Sequence, residues 1–540
     1  MKRLQRLYRR KVPEAEIVSP EIARRLAALS DEVQRQLALL ITRKGRIAFV
    51  VVGDRAHIWI PDLGRVRLGA GRLKGLRCVH THLNREPLSR EDLTDLVLLG
   101  LDLMVSVQVE EGGIPGALSV AHVLPKNIAG EGWRVTTYPD TGRMHVHCLS
   151  LIRSVEEELS RAGRGGRILD GKERAVLAGV VQGPPAGASE SLEELRELAR
   201  SSDVAVCDVV VQQVKRPNPR FLMGKGKLGE LVLRCLQAGA NLLIFDNELT
   251  PAQVKSLTDF TDLRIIDRSQ LILDIFARRA VTREGKIQVE LAQLKYLLPR
   301  LATKNTAMSR LTGGIGGRGP GETKLEINRR RVRERIARLN RELKQVRRQR
   351  EGRRKLRWDR GLPVISIVGY TNAGKSTLLN ALTNSRVAVE DRLFATLDPS
   401  SRRLRFPRER EAIITDTVGF IRDLPEDLME AFAATLEELH DADLLLHVVD
   451  ASSPRMEEQK ETVEKVLRDL DLGRIPILLV LNKADLLGPG EADDMAKNMR
   501  GVAISATAPQ TFSELLRRIE DTIWLRSSTP RTTTASRSGQ

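Results

Sequence analysis

The sequence is poor in cysteine, in aromatic residues and in long apolar runs. Its 540 residues include four cysteines, too few for a disulfide framework, which favours reduced thiols in a cytoplasmic protein. Aromatic residues make up 3% of the chain, which argues against a protein that stacks successive bases on its rings. The most apolar long window, residues 93–109, is interrupted by Asp95 and Asp102, so no membrane span is expected. A cytoplasmic protein is therefore predicted, with peripheral membrane association as a second option.

Positive charge is abundant and unevenly distributed. The chain has 88 Lys+Arg against 70 Asp+Glu, a formal charge of +18. Residues 301–360 alone hold 20 Lys+Arg and 6 Asp+Glu. An arginine-rich segment with few acids favours contact with phosphates, as in a nucleic acid, whereas the alternative is a solvated helix face.

The same segment carries a heptad pattern, and a second one lies upstream. Two such seams predict an antiparallel helical hairpin, with Pro299 kinking or ending the first helix near its tip and a second helix of about 28 residues from Thr323. The glycine-rich residues 313–323 between the helices are either a linker or a thin, flexible finger with Arg318 at its tip. The seam residues are Ile287, Leu291, Leu294, Leu298, Leu301, Val332, Ile336, Leu339, Leu343 and Val346. The candidate RNA contacts are Arg318, Lys324, Arg331, Arg335 and Arg338.

Composition and strand–helix alternation divide the chain into five segments. Residues 1–165 are predicted as an α+β extension, with a helix over residues 20–42 and strands near residues 47–52 and 56–60. Alternating strands and helices predict two α/β segments with parallel sheets, one on either side of the hairpin. The remaining segments are a small α/β domain (175–285), the hairpin (286–358), a second α/β domain (360–526) and a disordered tail (527–540).

A glycine loop follows the predicted strand over residues 364–368. The sequence from Gly369 to Ser376 reads G-x-x-x-x-G-K-S and opens a predicted helix, which is the context of a phosphate-binding loop. Backbone N–H groups and the helix dipole favour phosphate there, Lys375 neutralises the β- and γ-oxygens, and Ser376 is a ligand for Mg²⁺.

Two later motifs complete a guanine nucleotide site. Asp416 follows a strand and is predicted to hold the Mg²⁺ shell, with the Gly419 N–H sensing the γ-phosphate. Asn482-Lys483-Ala484-Asp485 follows another strand, and its carboxylate suits the two donors of guanine, which adenine lacks. Ser505 and Ala506 support the base from the last strand.

A switch threonine is expected between the phosphate loop and Asp416. Thr396 is the candidate, with Thr371 and Thr383 as alternatives. Lys375, Thr396 and Gly419 are then the predicted catalytic residues, and Ser376, Thr396 and Asp416 the predicted Mg²⁺ ligands. The predicted GTP contacts are Gly369, Tyr370, Thr371, Asn372, Ala373, Gly374, Lys375, Ser376, Thr377, Phe394, Ala395, Thr396, Leu397, Asp416, Thr417, Val418, Gly419, Asn482, Lys483, Asp485, Ser505 and Ala506.

These motifs together resemble a Ras-like GTPase of the translation-factor class. Phe420 occupies a place where many such GTPases have a glutamine that positions water, so the resemblance implies slow intrinsic hydrolysis that needs help. By similarity to GTPases with asparagine at the position of Asn372, K⁺ coordination is a further hypothesis; the alternative is an asparagine used for loop geometry.

Five blocks upstream of the nucleotide motifs resemble the HflX family of ribosome-associated GTPases. The resemblance covers about residues 175–525. It implies a Ras-like P-loop GTPase domain behind a small parallel α/β domain and a basic hairpin, an α/β multidomain fold. The blocks are residues 220–227, 247–253, 266–268, 288–296 and 319–323.

The family resemblance also implies partners and a role. A monomer is expected that binds the large ribosomal subunit and its rRNA, points its glycine loop at the peptidyl-transferase centre and dissociates stalled ribosomes under stress. The alternative is a GTP-switched RNA-binding assembly factor without splitting activity. Gly224-Lys225-Gly226-Lys227 is interpreted as a basic turn, with a second phosphate loop as the minority interpretation.

The N-terminal extension departs from the usual family pattern. Six of the eight histidines lie in residues 57–147, with one cluster at Cys78, His80 and His82 and another at residues 145–148. His80-Thr81-His82, followed by Ser89 and Asp92, resembles the metal motif of JAMM-type zinc hydrolases. The spacer is one residue short, and no Glu occurs from 36 to 85 as the upstream acid. A related fold without metal, a zinc site, and a peptidase-like or deubiquitinase-like enzyme are the alternatives.

Overall fold

The chain forms two compact units, residues 1–268 and 269–540. The structure is a computed structural model. It describes residues 2–61, 63, 72–125, 132–164, 173–183, 186–261, 263–301, 324–358, 362–383, 393–394, 400–406, 410–417, 419–422 and 437–525. Among the described helices, none combines the length and the apolarity that crossing a bilayer requires.

The first unit begins with a six-stranded mixed sheet in the order β2-β1-β3-β4-β5-β6. Only β3 and β4 run parallel, and the other neighbours are antiparallel. The elements are α1 (Lys2–Leu7), α2 (Pro20–Val33), β1 (Leu37–Thr42), β2 (Ile47–Val52), β3 (Leu76–His82), α3 (Arg90–Leu98), β4 (Leu103–Glu110), β5 (Ile114–Val123), β6 (Trp133–Tyr138) and α4 (Cys148–Arg164).

Two predictions for this sheet are wrong. The helix expected over residues 20–42 begins at Pro20 but ends at Val33, where Gln34 takes a left-handed conformation with φ 51°. The apolar run that follows is the buried strand β1, because both of its faces are covered. Residues 56–60 form no strand, since Asp54 Oδ1 accepts hydrogen bonds from the N–H groups of Ala56 and His57 at 2.7 Å each and bends the chain.

The second sheet of this unit is a parallel sheet of four strands in the order β10-β9-β7-β8, as predicted. Its elements alternate along the chain, which is typical of βαβ units. They are β7 (Arg174–Val181), α5 (Ala186–Ser201), β8 (Ala205–Gln213), α6 (Lys225–Ala238), β9 (Leu242–Phe245), α7 (Pro251–Phe260) and β10 (Arg264–Asp267).

Both sheets of the first unit contribute to one apolar core. Leu93 and Leu96 of α3 belong to the same buried cluster as Leu228 and Leu231 of α6. Helix α3 packs against α6. The N-terminal extension is therefore joined to the small α/β domain through side-chain packing and not only through the chain.

A helical pair opens the second unit. Helix α8 (Arg268–Arg279) precedes α9 (Arg283–Leu301), which packs against α10 (Lys324–Trp358). The seam prediction is confirmed where the described side chains meet, because Ile287, Leu291, Leu339 and Leu343 form a buried cluster.

One detail of the pair differs from the predictions. Helix α10 has 35 residues and is thus about 52 Å long, longer than expected. Pro299 lies near the tip of α9, as predicted, and the helix stops two residues later. The glycine run 313–323, with Thr323, lies outside the described residues.

The rest of the second unit is a six-stranded sheet in the order β12-β13-β11-β14-β15-β16. All neighbours are parallel except β12 and β13. The carboxyl ends of the parallel strands therefore meet at one edge, where ligands of open α/β sheets bind. Its elements are β11 (Val364–Gly369), α11 (Lys375–Thr383), β12 (Ser400–Arg405), β13 (Glu411–Asp416), β14 (Leu444–Asp450), α12 (Met456–Asp469), β15 (Ile477–Asn482), α13 (Glu491–Asn498), β16 (Val502–Ala503) and α14 (Phe512–Glu520).

A buried histidine makes this sheet sensitive to acid. His447 of β14 is fully buried, and neither ring nitrogen has a hydrogen bond. Burial lowers the pKa of His447 to about 4, although nearby Glu464 opposes this shift. The unfolded ring titrates near about 6.5, so between these values the unfolded state binds more protons and stability falls as the pH falls.

We expect His447→Leu to remove this part of the acid sensitivity. At about pH 5 the ring is protonated in the unfolded state but not in the native state, which lowers the stability of the wild type by about 2 kcal/mol relative to neutral pH. The variant loses less stability by that amount. The check is denaturant unfolding of both proteins at both pH values. The transition to follow is the one whose midpoint moves when the predicted nucleotide is added, because it reports the unit that contains His447. An equal loss in both proteins would contradict the assignment.

Candidate nucleotide-binding site

The phosphate loop runs from the end of β11 to the start of α11, and two of its glycines have no room for a side chain. A Cβ on Gly369 would lie 2.2 Å from the carbonyl oxygen of Val448. A Cβ on Gly374, which has φ +89°, would lie 2.2 Å from Nδ2 of Asn482. Glycine at both positions lets the loop lie against its neighbours while its N–H groups face outward to an anion.

Lys375 begins α11 and lies inside the loop. It is 7% exposed, and its Nζ donates a hydrogen bond to the carbonyl oxygen of Tyr370 at 2.7 Å. Burial lowers the pKa of Lys375 to about 8, an effect that Asp416 partly offsets. A buried ammonium at a helix N-terminus gains more from a phosphate than an exposed one does.

Oxygen ligands for a cation lie next to this lysine. The Ser376 hydroxyl on the first turn of α11 donates to Oδ2 of Asp416, at the end of β13, at 2.6 Å. Thr377 follows on the same turn and is half-buried. A hydroxyl and a carboxylate beside a phosphate loop suit Mg²⁺, which prefers oxygen ligands and keeps several waters.

The segment after Asp416 is hydrogen-bonded to the phosphate loop. The N–H of Thr371 donates to the carbonyl of Phe420 at 2.8 Å, and the N–H of Phe420 donates to that of Gly369 at 3.1 Å. The hydroxyl of Thr417 donates to the Ile367 carbonyl at 2.6 Å, and the Tyr370 hydroxyl accepts the N–H of Arg422 at 2.9 Å. Gly419 lies so close that a Cβ there would be 2.9 Å from Nζ of Lys375.

Asn482 joins the phosphate loop to the last strand. Its Nδ2 donates to the carbonyl of Ala373 at 2.8 Å, and its Oδ1 accepts the N–H of Ala506 at 2.9 Å. Ser505, next to Ala506, is buried, and its N–H donates to Oγ1 of Thr511 at 3.1 Å. The structure thus brings the predicted Asn482, Ala373 and Ala506 together.

The other two residues predicted to recognise the base lie just beyond β15. Lys483 has a left-handed backbone, φ 64°, and its Nζ pairs with Oδ2 of Asp450 at 2.7 Å. Asp485 is exposed on a short 3₁₀ turn. Its carboxylate therefore remains accessible to a base. Asp450 was not among the site residues predicted from the sequence. Its position at the carboxyl end of β14 could have indicated it, because ligands of open α/β sheets bind at that edge.

The predicted switch segment is only partly described. Ala395, Thr396, Leu397 and Val418 lie outside the described residues. Phe394 is buried, and its ring packs against Phe276 of α8 with the ring centroids 4.6 Å apart.

The two alternative switch threonines and Asn372 lie in different surroundings. The hydroxyl of the alternative Thr383 donates within its own helix to Leu379 at 2.7 Å, whereas the other alternative, Thr371, is buried. Asn372, the residue of the potassium hypothesis, is exposed with φ 60°. That hypothesis stays a prediction.

The predicted basic turn, residues 224–227, forms the N-cap and first turn of α6, and its lysines make ion pairs within the first unit. Nζ of Lys225 lies 3.0 Å from Oδ1 of Asp95, and Nζ of Lys227 lies 2.8 Å from Oε2 of Glu230. Both lysines therefore have partners on the protein surface, which is consistent with the interpretation as a basic turn.

The candidate RNA contacts on α10 differ in their surroundings. Arg331 is exposed, and Arg338 is exposed with an ion pair to Glu342 of the same helix at 3.0 Å. Arg335 instead holds Glu290 of α9 through two hydrogen bonds of 2.7 and 2.8 Å. Arg318 and the Lys324 side chain are not described.

A strand, a glycine loop around a buried lysine, a hydroxyl–carboxylate oxygen pair and an Asn-Lys-x-Asp loop are together typical of a P-loop GTPase. Residues 364–483 match the family model described as 50S ribosome-binding GTPase. Residues 189–277 and 279–357 match the models described as GTP-binding GTPase N-terminal and GTP-binding GTPase Middle Region.

Curated relatives identify the family. The chain is 50% identical to the GTPase HflX of Caldanaerobacter subterraneus over 349 residues, 65% of this chain and 80% of the relative. It is 46% identical to the Escherichia coli GTPase HflX, covering 61% of this chain and 79% of the relative. This chain belongs to the HflX GTPase family.

Solved structures provide a weaker comparison. A GTP-binding protein of Sulfolobus solfataricus in complex with GDP is 25% identical, with a TM-score of 0.37 over 64% of this chain and 99% of that chain.

Asp485→Asn is expected to change the preferred base. The amide loses the charge that binds the guanine donors, so GTP affinity falls about 100-fold and xanthosine triphosphate becomes the better ligand. The matched control is Asp450→Asn, which loosens Lys483 and weakens both nucleotides alike. Nucleotide titrations of the three proteins provide the check, and retained GTP preference in Asp485→Asn would refute the assignment.

Proposed function

We propose that this GTPase binds the large ribosomal subunit and uses its nucleotide cycle to separate the subunits of stalled ribosomes under stress. The observation that carries the proposal is α10, a helix of 35 residues whose exposed arginines lie in the same unit as the nucleotide site. The match of residues 364–483 to a model described as 50S ribosome-binding GTPase supports it.

The proposed nucleotide contacts follow the geometry of the loops. The loop from Gly369 to Thr377 holds the phosphates, with Lys375 at the β- and γ-oxygens. Gly419, close to the Lys375 ammonium, contacts the γ-phosphate. Asn482 orders the base loop and Asp485 accepts hydrogen bonds from guanine.

The residues beside the phosphate loop suit a bound cation. Ser376 and Asp416 are the proposed Mg²⁺ ligands among the described residues, with Thr396 as the third. Mg²⁺, when bound, neutralises phosphate charge as the γ-phosphate leaves.

Hydrolysis by this site is proposed to need outside help. Phe420 is buried, and its backbone, not its side chain, binds the phosphate loop. A phenyl ring cannot orient the attacking water through a hydrogen bond, which a glutamine does in many GTPases. The ribosome then either supplies a group that orients the attacking water or places residues of the GTPase so that they orient it.

The hairpin is proposed as the RNA-binding element. Arg331 and Arg338 present charge to the outside, where phosphates of rRNA replace water and weak partners. The proposed organisation keeps five segments: the extension (1–165), the small α/β domain (175–285), the hairpin (286–358), the GTPase domain (360–526) and the tail (527–540).

We expect GTP turnover to be slow alone and strongly raised by purified large subunits, but not by small subunits or tRNA. Arg331→Ala with Arg338→Ala should reduce the salt slope of large-subunit binding by about two units or less, because two phosphate contacts are lost. Turnover and binding at several salt concentrations measure both effects.

A charge-matched variant controls for helix packing in that experiment. Arg335→Gln with Glu290→Gln removes the ion pair between α9 and α10 but leaves the net charge unchanged. The affinity of this double variant for the large subunit should depend on salt concentration with the same slope as that of the wild type. An unchanged slope in the Arg331 and Arg338 variant would mean that these arginines form only a solvated face, and no stimulation by any ribosomal component would refute ribosome binding.

Subunit separation tests the finer part of the proposal. Intact ribosomes incubated with the protein and a slowly hydrolysed GTP analogue should lose their peak on a sucrose gradient and yield free subunits. Lys375→Ala, which removes the charge contact to the phosphates, should leave ribosomes intact. Binding of the wild type without separation would favour the assembly-factor alternative.

A further inference from the structure

Two histidines and an aspartate meet inside the first unit. His80 and His82 alternate on β3, so their side chains lie on one face of the sheet, and Asp92 lies in the first turn of α3. Their exposures are 0%, 5% and 9%. Three groups of this polarity in a protein interior require compensation.

Their donor atoms point to a common centre. Nε2 of His80 and Nε2 of His82 are 2.8 Å apart. Oδ1 of Asp92 is 3.3 Å from the first, and Oδ2 is 3.5 Å from the second. Tetrahedral coordination with bonds of about 2.0–2.1 Å places the ligand atoms about 3.3 Å apart. The two histidine–aspartate distances match this value, and the two histidine nitrogens need to separate by about 0.5 Å to reach it.

We propose that His80, His82 and Asp92 bind a zinc ion. Two imidazole nitrogens and one carboxylate oxygen suit Zn²⁺, whereas Mg²⁺ prefers oxygen ligands alone. Three protein ligands leave a fourth tetrahedral position for water.

Neighbouring hydrogen bonds hold two of the ligands in binding orientation. Nδ1 of His82 lies 2.9 Å from the carbonyl oxygen of Glu86, so this nitrogen carries the proton and Nε2 presents a lone pair. Asp92 Oδ2 accepts hydrogen bonds from the hydroxyl and the N–H of Ser89, at 2.7 and 2.8 Å. Oδ1 is thereby directed to the centre.

The chemistry of this site favours a stabilising metal over a hydrolytic one. Within the described part of the chain, no second carboxylate joins the three ligands. Gln36, which precedes β1, is an amide whose Nε2 donates to the carbonyl of Ala56 at 2.9 Å. Among the described residues, no further carboxylate therefore belongs to the ligand group as a general base.

The position of the site indicates what zinc would stabilise. It connects β3 to the start of α3, and α3 packs on α6 of the parallel sheet, where Asp95 and Lys225 form an ion pair. Zinc binding is thus expected to raise the melting temperature of the first unit. The melting temperature of the second unit, which is recognised because added GDP raises it, should not change with zinc.

The test uses the full chain, treated with a chelator and then given ZnCl₂. We expect about one zinc per chain by elemental analysis, and with Co²⁺ in its place the visible absorption of a tetrahedral site. Asp92→Asn and His82→Gln should each weaken Zn²⁺ binding at least about 100-fold, because each removes a ligand. The two substitutions keep the side-chain size approximately, and the first unit's melting transition reports whether each variant is folded.

The matched control replaces exposed histidines of the same unit. His145→Ala with His147→Ala removes the other sequence cluster, which forms no three-ligand group in the described structure, and should bind zinc like the wild type. If the wild type binds no zinc or yields no tetrahedral Co²⁺ spectrum, the three residues form a metal-free hydrogen-bonded cluster and the proposal is wrong. Loss of binding in the control but not in Asp92→Asn would also overturn it.

Discussion

The side chain of Asn482 sets the relative positions of three loops at the carboxyl edge of the second unit's sheet. One end of its amide binds the Ala373 carbonyl and the other accepts the N–H of Ala506, while the group itself is 1% exposed. Gly374 is a glycine because Nδ2 of this asparagine occupies the space of a Cβ. A buried amide with both ends bonded is costly to replace, since either truncation leaves a buried backbone group unpaired. The phosphate loop and the base loop are therefore ordered together.

The segment after Asp416 is tied to the same loop, and this affects how the site responds to a nucleotide. The backbone of Phe420 makes hydrogen bonds with Gly369 and Thr371, so Phe420 fixes the position of the phosphate loop relative to the segment after β13. On the other side, Phe394 lies two residues before the predicted switch threonine and packs on Phe276 of α8. Any movement of Phe394 breaks that contact, which costs about 0.5–1.5 kcal/mol beyond the area exposed. The Phe276–Phe394 contact therefore links the residues just before the predicted switch threonine to α8.

Sequence alone predicted the parts of the fold that local rules dictate. The alternation of strands and helices over residues 175–285 predicted a parallel sheet, which β7, β8, β9 and β10 form. The failures needed contacts distant in sequence. Residues 37–42 look helical beside α2 but are a strand covered on both faces, and Arg335 looks like its neighbours Arg331 and Arg338 until Glu290 is placed opposite it. Likewise, the spacing of His80, His82 and Asp92 indicated a cluster, yet only the folding of α3 against the sheet brings the donor atoms to one centre.

The arginines of α10 differ in how strongly the protein itself binds them. Arg335 makes two parallel charge-assisted hydrogen bonds to a carboxylate on the neighbouring helix, the strongest arrangement available to it. Arg338 pairs with Glu342 one turn away on an exposed face, an interaction of about 0.3–0.5 kcal/mol. A phosphate offers Arg338 more than that, because its binding also releases condensed counterions. In the proposed RNA complex Arg338 would exchange Glu342 for a phosphate, whereas Arg335 would keep Glu290, which links α10 to α9.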